Sequence, residues 1–310
     1  MLIAAPERWD EACFAVSAVR AMAASGVGVG VLCGTDQRGF WQTVSGVTVV
    51  EYPPKTKARV LAERLAGKWR AALLWEPGVA AEACLRARIP QRMGPAGQPL
   101  KRLLTHPVAL PPVTRPLEHR VRHYLAVVEA LGLETARAEF FAPVALGVRT
   151  EPGTLLLCPD SDFGRTYEWP LARWEELARD LLAAGRLVSI VGLAGGTGLG
   201  RTLLARLGVD IPYFEAQSFG AVLPLLAAHA VVTAADGSLP HLAAHVGATC
   251  VTLFGPNDPA WKRPLGKRHA VVRRHVECAP CFLTKCPHDG RCQHELETIR
   301  VWTAVCEKLG

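Results

Sequence analysis

Asp236-Gly237-Ser238 closes one apolar run and opens a helical pattern that continues through Leu239, Pro240 and His241. A strand that turns into a helix at such residues points backbone N–H groups and the positive end of a helix dipole outward, an arrangement that receives phosphate. The same residues serve equally well as a structural turn, with Asp236 or Ser238 as the helix N-cap. Asp10 stands just after the first apolar run of the chain. A carboxylate there can cap the helix that follows. A third constellation is Cys278, Cys281, Cys286 and Cys292, four thiols within fifteen residues, with His288 and His294 nearby. It suits a structural zinc or an iron–sulfur cluster, or else reduced thiols that pack a loop.

The elements that must position these residues alternate along the chain. In the first half, strands are expected at Leu2–Pro6, Val27–Cys33, Val47–Tyr52 and Arg70–Trp75, with helices at Glu11–Ala24, Ala58–Leu65 and Glu118–Leu131. The proline-rich stretch Pro99–Pro116 reads as a loop and Phe141–Pro152 as a linker. A second series has strands at Thr154–Pro159, Leu187–Leu193, Ala230–Ala234 and Thr249–Phe254. Its helices are expected at Leu171–Ala184, Gly200–Leu207, Phe219–His229, Pro240–Val246 and Leu296–Leu309. Repeated βα winding of this kind builds parallel sheets covered by helices, with ligands beyond the carboxyl ends of the strands. The five glycines between Gly192 and Gly200 can let backbone approach a phosphate, although no G-x-G-x-x-G fingerprint follows a strand.

A chain of 310 residues, half of them apolar and a fifth charged, is expected to fold throughout, as two domains rather than one. The net charge of +7 resides in residues 1–150, with 19 Lys and Arg against 12 Asp and Glu, whereas the remainder holds 16 of each. Such a half can face a phosphorylated or membrane-bound partner, or be an ordinary solvated surface. No reader motif for nucleic acid is present. The first apolar run meets acidic residues too early for a signal peptide, and ten cysteines then point to a reducing, cytoplasmic setting.

Several of these segments together resemble glycosyltransferase family 9, the ADP-heptose:lipopolysaccharide heptosyltransferases, and most closely the heptosyltransferase II pattern. Asp236 and His241 keep the spacing of the family's Asp-(Ser/Thr)-Gly-x-x-His, with the middle pair reversed to Gly237-Ser238. Phe254-Gly255-Pro256-Asn257-Asp258-Pro259 matches its Phe-Gly-Pro-(Thr/Ser)-x-Pro except at Asn257. The segment Pro159-Asp160-Ser161-Asp162-Phe163-Gly164-Arg165-Thr166-Tyr167-Glu168-Trp169-Pro170 is similar to Pro-Gly-Ala-x-Phe-Gly-Pro-Ala-Lys-Arg-Trp-Pro. Tyr167 replaces the family lysine there, Trp9 replaces a glycine before the catalytic aspartate position, and glycines replace acidic residues near Gly196.

The resemblance implies a GT-B α/β fold, with two Rossmann-like doubly wound domains facing a cleft. An acceptor-side domain is expected over 1–145 and a nucleotide-sugar domain over 150–292, with a helix over 293–310 packing at their junction. It also implies inverting transfer of a heptose or related sugar from a nucleotide-diphosphate donor, ADP-heptose foremost, to a lipopolysaccharide-core acceptor. No metal is required for catalysis. By the resemblance Asp10 is the catalytic base, and the donor site includes Asp236, His241 and the family lysine position, here Tyr167; the helix start adds the N–H groups of Gly237, Ser238 and Leu239, and Arg165 is expected to substitute for the lysine. The enzyme would work in the cytoplasm, peripheral to the inner face of the inner membrane. The departures from the family pattern favour an alternative, a non-catalytic paralogue that binds a glycolipid or a partner enzyme.

Overall fold

The protein was analysed as a computed structural model that describes residues 1–112 and 117–310. It divides into two compact units, Met1–Ala142 and Pro143–Gly310. The end of the expected 99–116 loop, residues 113–116, lies outside the described residues.

The first unit contains β1 (Leu2–Ala4), α1 (Trp9–Ala24), β2 (Val29–Gly34), α2 (Arg38–Trp41), β3 (Val47–Tyr52), α3 (Ala58–Leu65), β4 (Ala71–Leu74), α4 (Val79–Arg86), β5 (Gln91–Pro95), β6 (His106–Val108) and α5 (Val121–Ala130). Its six strands lie in the order β3-β2-β1-β4-β5-β6, every described pair parallel. The central strands β1 and β4 are short unbroken apolar runs because helices cover both faces of a parallel sheet. Gly30 in β2 is fixed by close approach, since a Cβ there would stand 2.2 Å from the Trp69 ring.

The second unit contains β7 (Glu151–Cys158), α6 (Leu171–Ala183), β8 (Leu187–Leu193), α7 (Leu199–Leu207), β9 (Tyr213–Ala216), α8 (Phe219–Ala228), β10 (His229–Ala235), α9 (Ser238–His245), β11 (Thr249–Phe254), α10 (Pro259–Lys262), β12 (Ala270–Arg273), α11 (Arg291–His294) and α12 (Thr298–Leu309). Its strand order is β12-β11-β10-β7-β8-β9, again parallel. Leu155, Leu157, Val231, Val251 and Leu253 of the inner strands pack against Trp169, Trp174, Leu177 and Leu181. Val301 and Val305 of α12 join this same core, so the last helix packs on α6 and on β10, β11 and β12.

Both units are doubly wound α/β sheets, as the βα alternation led us to expect. Three elements between residues 75 and 116 were absent from that expectation. In α4 the buried positions are Ala80, Ala81, Ala83 and Cys84, whose small side chains mute the helical period. β6 interrupts the expected loop even though it holds Pro107, which its place at the sheet edge permits. The four-residue strands β9 and β12 are the two edges of the second sheet, partly exposed and without a long apolar run. β7 starts at Glu151, inside the expected linker. Among the described residues no helix is long and apolar enough to cross a membrane.

Candidate functional site

The turn after β7 organises the carboxyl end of the second sheet. Asp160 is buried, and its carboxylate accepts from the backbone N–H groups of Leu199 (2.9 Å) and Gly200 (3.1 Å) and from the Thr197 hydroxyl (2.9 Å). It thus satisfies the N-terminus of α7. The glycines before α7 therefore admit a side chain of the chain itself, not only a ligand. A Cβ at Gly200 would lie 3.0 Å from Asp160 Oδ2. Glu168 accepts from Ser161 N (3.0 Å) and Thr197 Oγ1 (2.6 Å). Burial raises the Glu168 carboxyl above its ordinary range, a shift opposed by the bonds from Thr197 and Ser161 and reinforced by Asp160.

The start of α9 is treated in the same way. Helix α9 begins at Ser238 with Gly237 as its N-cap, so neither Asp236 nor Ser238 is the cap considered from the sequence. Ser238 donates its backbone N–H to Asp162 Oδ1 and its hydroxyl to Asp162 Oδ2, both at 2.7 Å. The Ser238 N–H expected to face a diphosphate is therefore held by an internal carboxylate. A Cβ at Gly237 would stand 2.7 Å from Asp162 Oδ1, which explains the glycine by proximity, since its φ of 174° is ordinary extended backbone. Ser161 locks the turn by donating Oγ to the Asp236 carbonyl (2.5 Å) while accepting from Phe163 N (3.1 Å). The Asp236 side chain turns inward and accepts from Asn257 Nδ2 at 2.7 Å.

The remaining candidates are dispersed around this turn. Leu239 and His241 are buried on α9. Tyr167 lies inside the 3₁₀ turn Arg165–Tyr167, its ring edge-on to Phe163 at 5.4 Å and its carbonyl accepting from Gln293 Nε2 at 3.0 Å. Arg165 is exposed and lines a groove with Thr166, Lys285, Asp289 and His294. One cation escaped sequence reasoning: Lys262 of α10 is only 4% exposed, with Nζ 4.8 Å from the Trp261 ring centroid and 5.3 Å from that of Phe163. Its sequence signal was a lysine beside a tryptophan, three residues beyond the Phe-Gly-Pro segment.

In the first unit Asp10 is the second residue of α1, with Arg8 as N-cap, so Asp10 is not a capping residue. Its side chain is fully buried, and its two oxygens accept from Arg8 Nε (3.0 Å) and Nη2 (3.1 Å), with Arg8 itself largely exposed. The neighbouring Glu11 has a different task. It accepts from Arg120 Nε at 2.7 and 3.0 Å and from the Tyr124 hydroxyl at 2.6 Å, which ties α5 to α1.

The sequence model of glycosyltransferase family 9, the heptosyltransferases, matches residues 125–291, more than half of the chain. The chain belongs to glycosyltransferase family 9. It is 33% identical over 122 residues to lipopolysaccharide heptosyltransferase 2 of Escherichia coli K12, a match over 37% of this chain and 35% of that protein. The aligned part is thus about a third of the relative's length. Over whole chains the fold is shared with the solved E. coli ADP-heptose LPS heptosyltransferase II, at TM-score 0.78 and 20% identity, covering 99% of this chain and 98% of that one. A second solved relative, the dodecameric iron-containing heptosyltransferase TibC of E. coli H10407 in complex with ADP-D-beta-D-heptose, has TM-score 0.58 and 15% identity. That match covers 99% of this chain and 75% of TibC. These likenesses establish two doubly wound sheets of GT-B type.

Iron in that relative sharpens the question of the four thiols. In this family 9 chain, Cys278, Cys281, Cys286 and Cys292 line one small cavity of about 50 Å³, next to Thr166 and Pro256. Their loop is tied to the Phe-Gly-Pro segment through Cys281 N and Phe282 N, which donate to the Pro256 carbonyl at 3.0 and 2.9 Å. Yet no group of three or more His, Cys, Asp or Glu side chains among the described residues is arranged to hold a metal ion. The Cys292 thiol is pushed up to about 11, by burial first and then by the other three cysteines, which favours its protonated form. The zinc or iron–sulfur expectation therefore has no ligand group of three in its support among the described residues, although all four thiols meet at one cavity.

Proposed function

We propose that the chain transfers a heptose, with inversion, from ADP-heptose to a lipopolysaccharide-core acceptor. The observation that carries the reading is the family match over residues 125–291, which includes the β7 turn, α9 and the Phe-Gly-Pro segment. In this reading the second unit binds the nucleotide sugar and the basic first unit binds the acceptor. A lipid-linked acceptor would keep the enzyme peripheral to the cytoplasmic face of the membrane.

Asp10 acts as general base. Its carboxylate removes the proton from the acceptor hydroxyl as that oxygen attacks the anomeric carbon, the glycosidic bond forms, and the bond to the diphosphate breaks on the opposite face. ADP departs with the electron pair, and the positive end of α9 favours the negative charge that develops on it. A second reading, a non-catalytic paralogue that binds a glycolipid or partner enzyme, is favoured by Asp162 sitting on Ser238.

The test is ADP release from ADP-heptose in the presence of heptose-deficient lipopolysaccharide. The transferase reading expects release by the native chain and its near abolition in Asp10→Asn, with ADP binding retained. Undiminished turnover in Asp10→Asn removes Asp10 from the mechanism. No release with any core acceptor, together with no ADP binding, decides for the second reading.

A further inference from the structure

We infer that Asp162 is a built-in competitor for the donor's diphosphate, holding the N-terminus of α9 closed until it is displaced. This rests on the proposed donor site and adds to it a residue that governs how tightly that site takes an anion.

The geometry is that of an anion in a helix N-terminus. Both oxygens of the Asp162 carboxylate are engaged at 2.7 Å, one by the Ser238 N–H and the other by its hydroxyl. Each donor carries one hydrogen, so a phosphate oxygen can use it only after the carboxylate has left. If Asp162 stayed, the phosphate would meet a like charge at contact distance, which is unfavourable at any dielectric constant a protein offers.

The local sequence is adapted to this contact. Relative to the family pattern, the order of glycine and serine is reversed at 237 and 238, and the turn after β7 reads Asp160-Ser161 in place of Gly-Ala, with Asp162 at the pattern's variable position. These differences meet in space. Gly237 removes a Cβ that would stand 2.7 Å from Asp162 Oδ1, Ser238 supplies two donors, and Ser161 pins the turn to the Asp236 carbonyl at 2.5 Å. One residue pair away, Asp160 does the same at α7, accepting from Leu199 N and Gly200 N at 2.9 and 3.1 Å. The two contacts differ in one respect. Asp160 is buried, whereas Asp162 is an exposed residue of the turn.

ADP is titrated by calorimetry into the native chain, Asp162→Asn and Asp162→Ser, with thermal melts run alongside. The expected result is ADP binding about tenfold or more tighter in both variants than in the native chain. A mere structural cap would lower the melting temperature without raising affinity. Measurable and equal binding in all three proteins overturns the inference and leaves the donor reading standing, as does weaker binding in the variants. Binding in none of the three overturns both. Should Asp162→Ser melt early, Asp162→Asn, which keeps the side-chain shape, gives the deciding comparison.

Discussion

Asn257 donates its side-chain amide to the Asp236 carboxylate at 2.7 Å, in an interior where Asn257 is 5% and Asp236 0% exposed. This bond joins the ends of two neighbouring parallel strands, β10 and β11. It also explains the one departure within the Phe-Gly-Pro segment, where the longer amide of asparagine replaces the hydroxyl of threonine or serine. Asn257→Ala deprives a buried carboxylate of a donor. The expected loss is about 1.5–3 kcal/mol, the range for hydrogen bonds to charged groups. Urea unfolding monitored by tryptophan fluorescence measures it, and a transition unmoved by the substitution contradicts the role assigned to the pair.

What was legible in the sequence follows from how local each determinant is. β3, β8, β11 and α3 stand at their expected bounds because each carries its own pattern, an apolar run or a helical period closed by turn residues. Asp236 was singled out by its position after a strand, and Asp10 by its place in the family pattern. Asp162 was not singled out, because what makes it matter is a bond to Ser238 across 76 residues, and no spacing rule shows such a partner. Arg165 and Tyr167 were singled out by a lysine that the chain does not have, and the 3₁₀ turn sends Tyr167 inward instead.

A pH dependence originates in α5. His123 packs edge-on to Tyr124 at 5.2 Å, and burial, followed by the charge of Arg120, lowers its pKa from 6.5 to about 4, with Glu11 opposing. The unfolded chain takes up this proton near 6.5, while the folded chain resists it to about 4. Between those values the unfolded state binds more protons, so stability falls as the pH falls. The contribution is intact above pH 6.5 and is lost progressively toward pH 4. His123→Gln should unfold with a shallower decline than the native chain across this window. Parallel declines in the two proteins would show that His123 takes no part.

Lys262 provides the last prediction. The Lys262 side chain is only 4% exposed, and its ammonium nitrogen lies 4.8 Å from the centroid of the Trp261 ring and 5.3 Å from that of Phe163, contacts worth about 0.5–2 kcal/mol each through cation–π attraction. Phe163, one of its two rings, directly follows Asp162, whose carboxylate occupies the start of α9. The expectation tested is that Lys262 supplies to the proposed donor region the positive charge that Tyr167 does not. Lys262→Met keeps the length and the apolar stem of the side chain, and Lys262→Arg keeps the charge. ADP affinity, measured in the native and Asp162→Asn backgrounds, should fall about tenfold in the methionine variant and be largely preserved in the arginine variant. A methionine variant that binds ADP normally but melts early would make Lys262 a structural cation of the α10 turn.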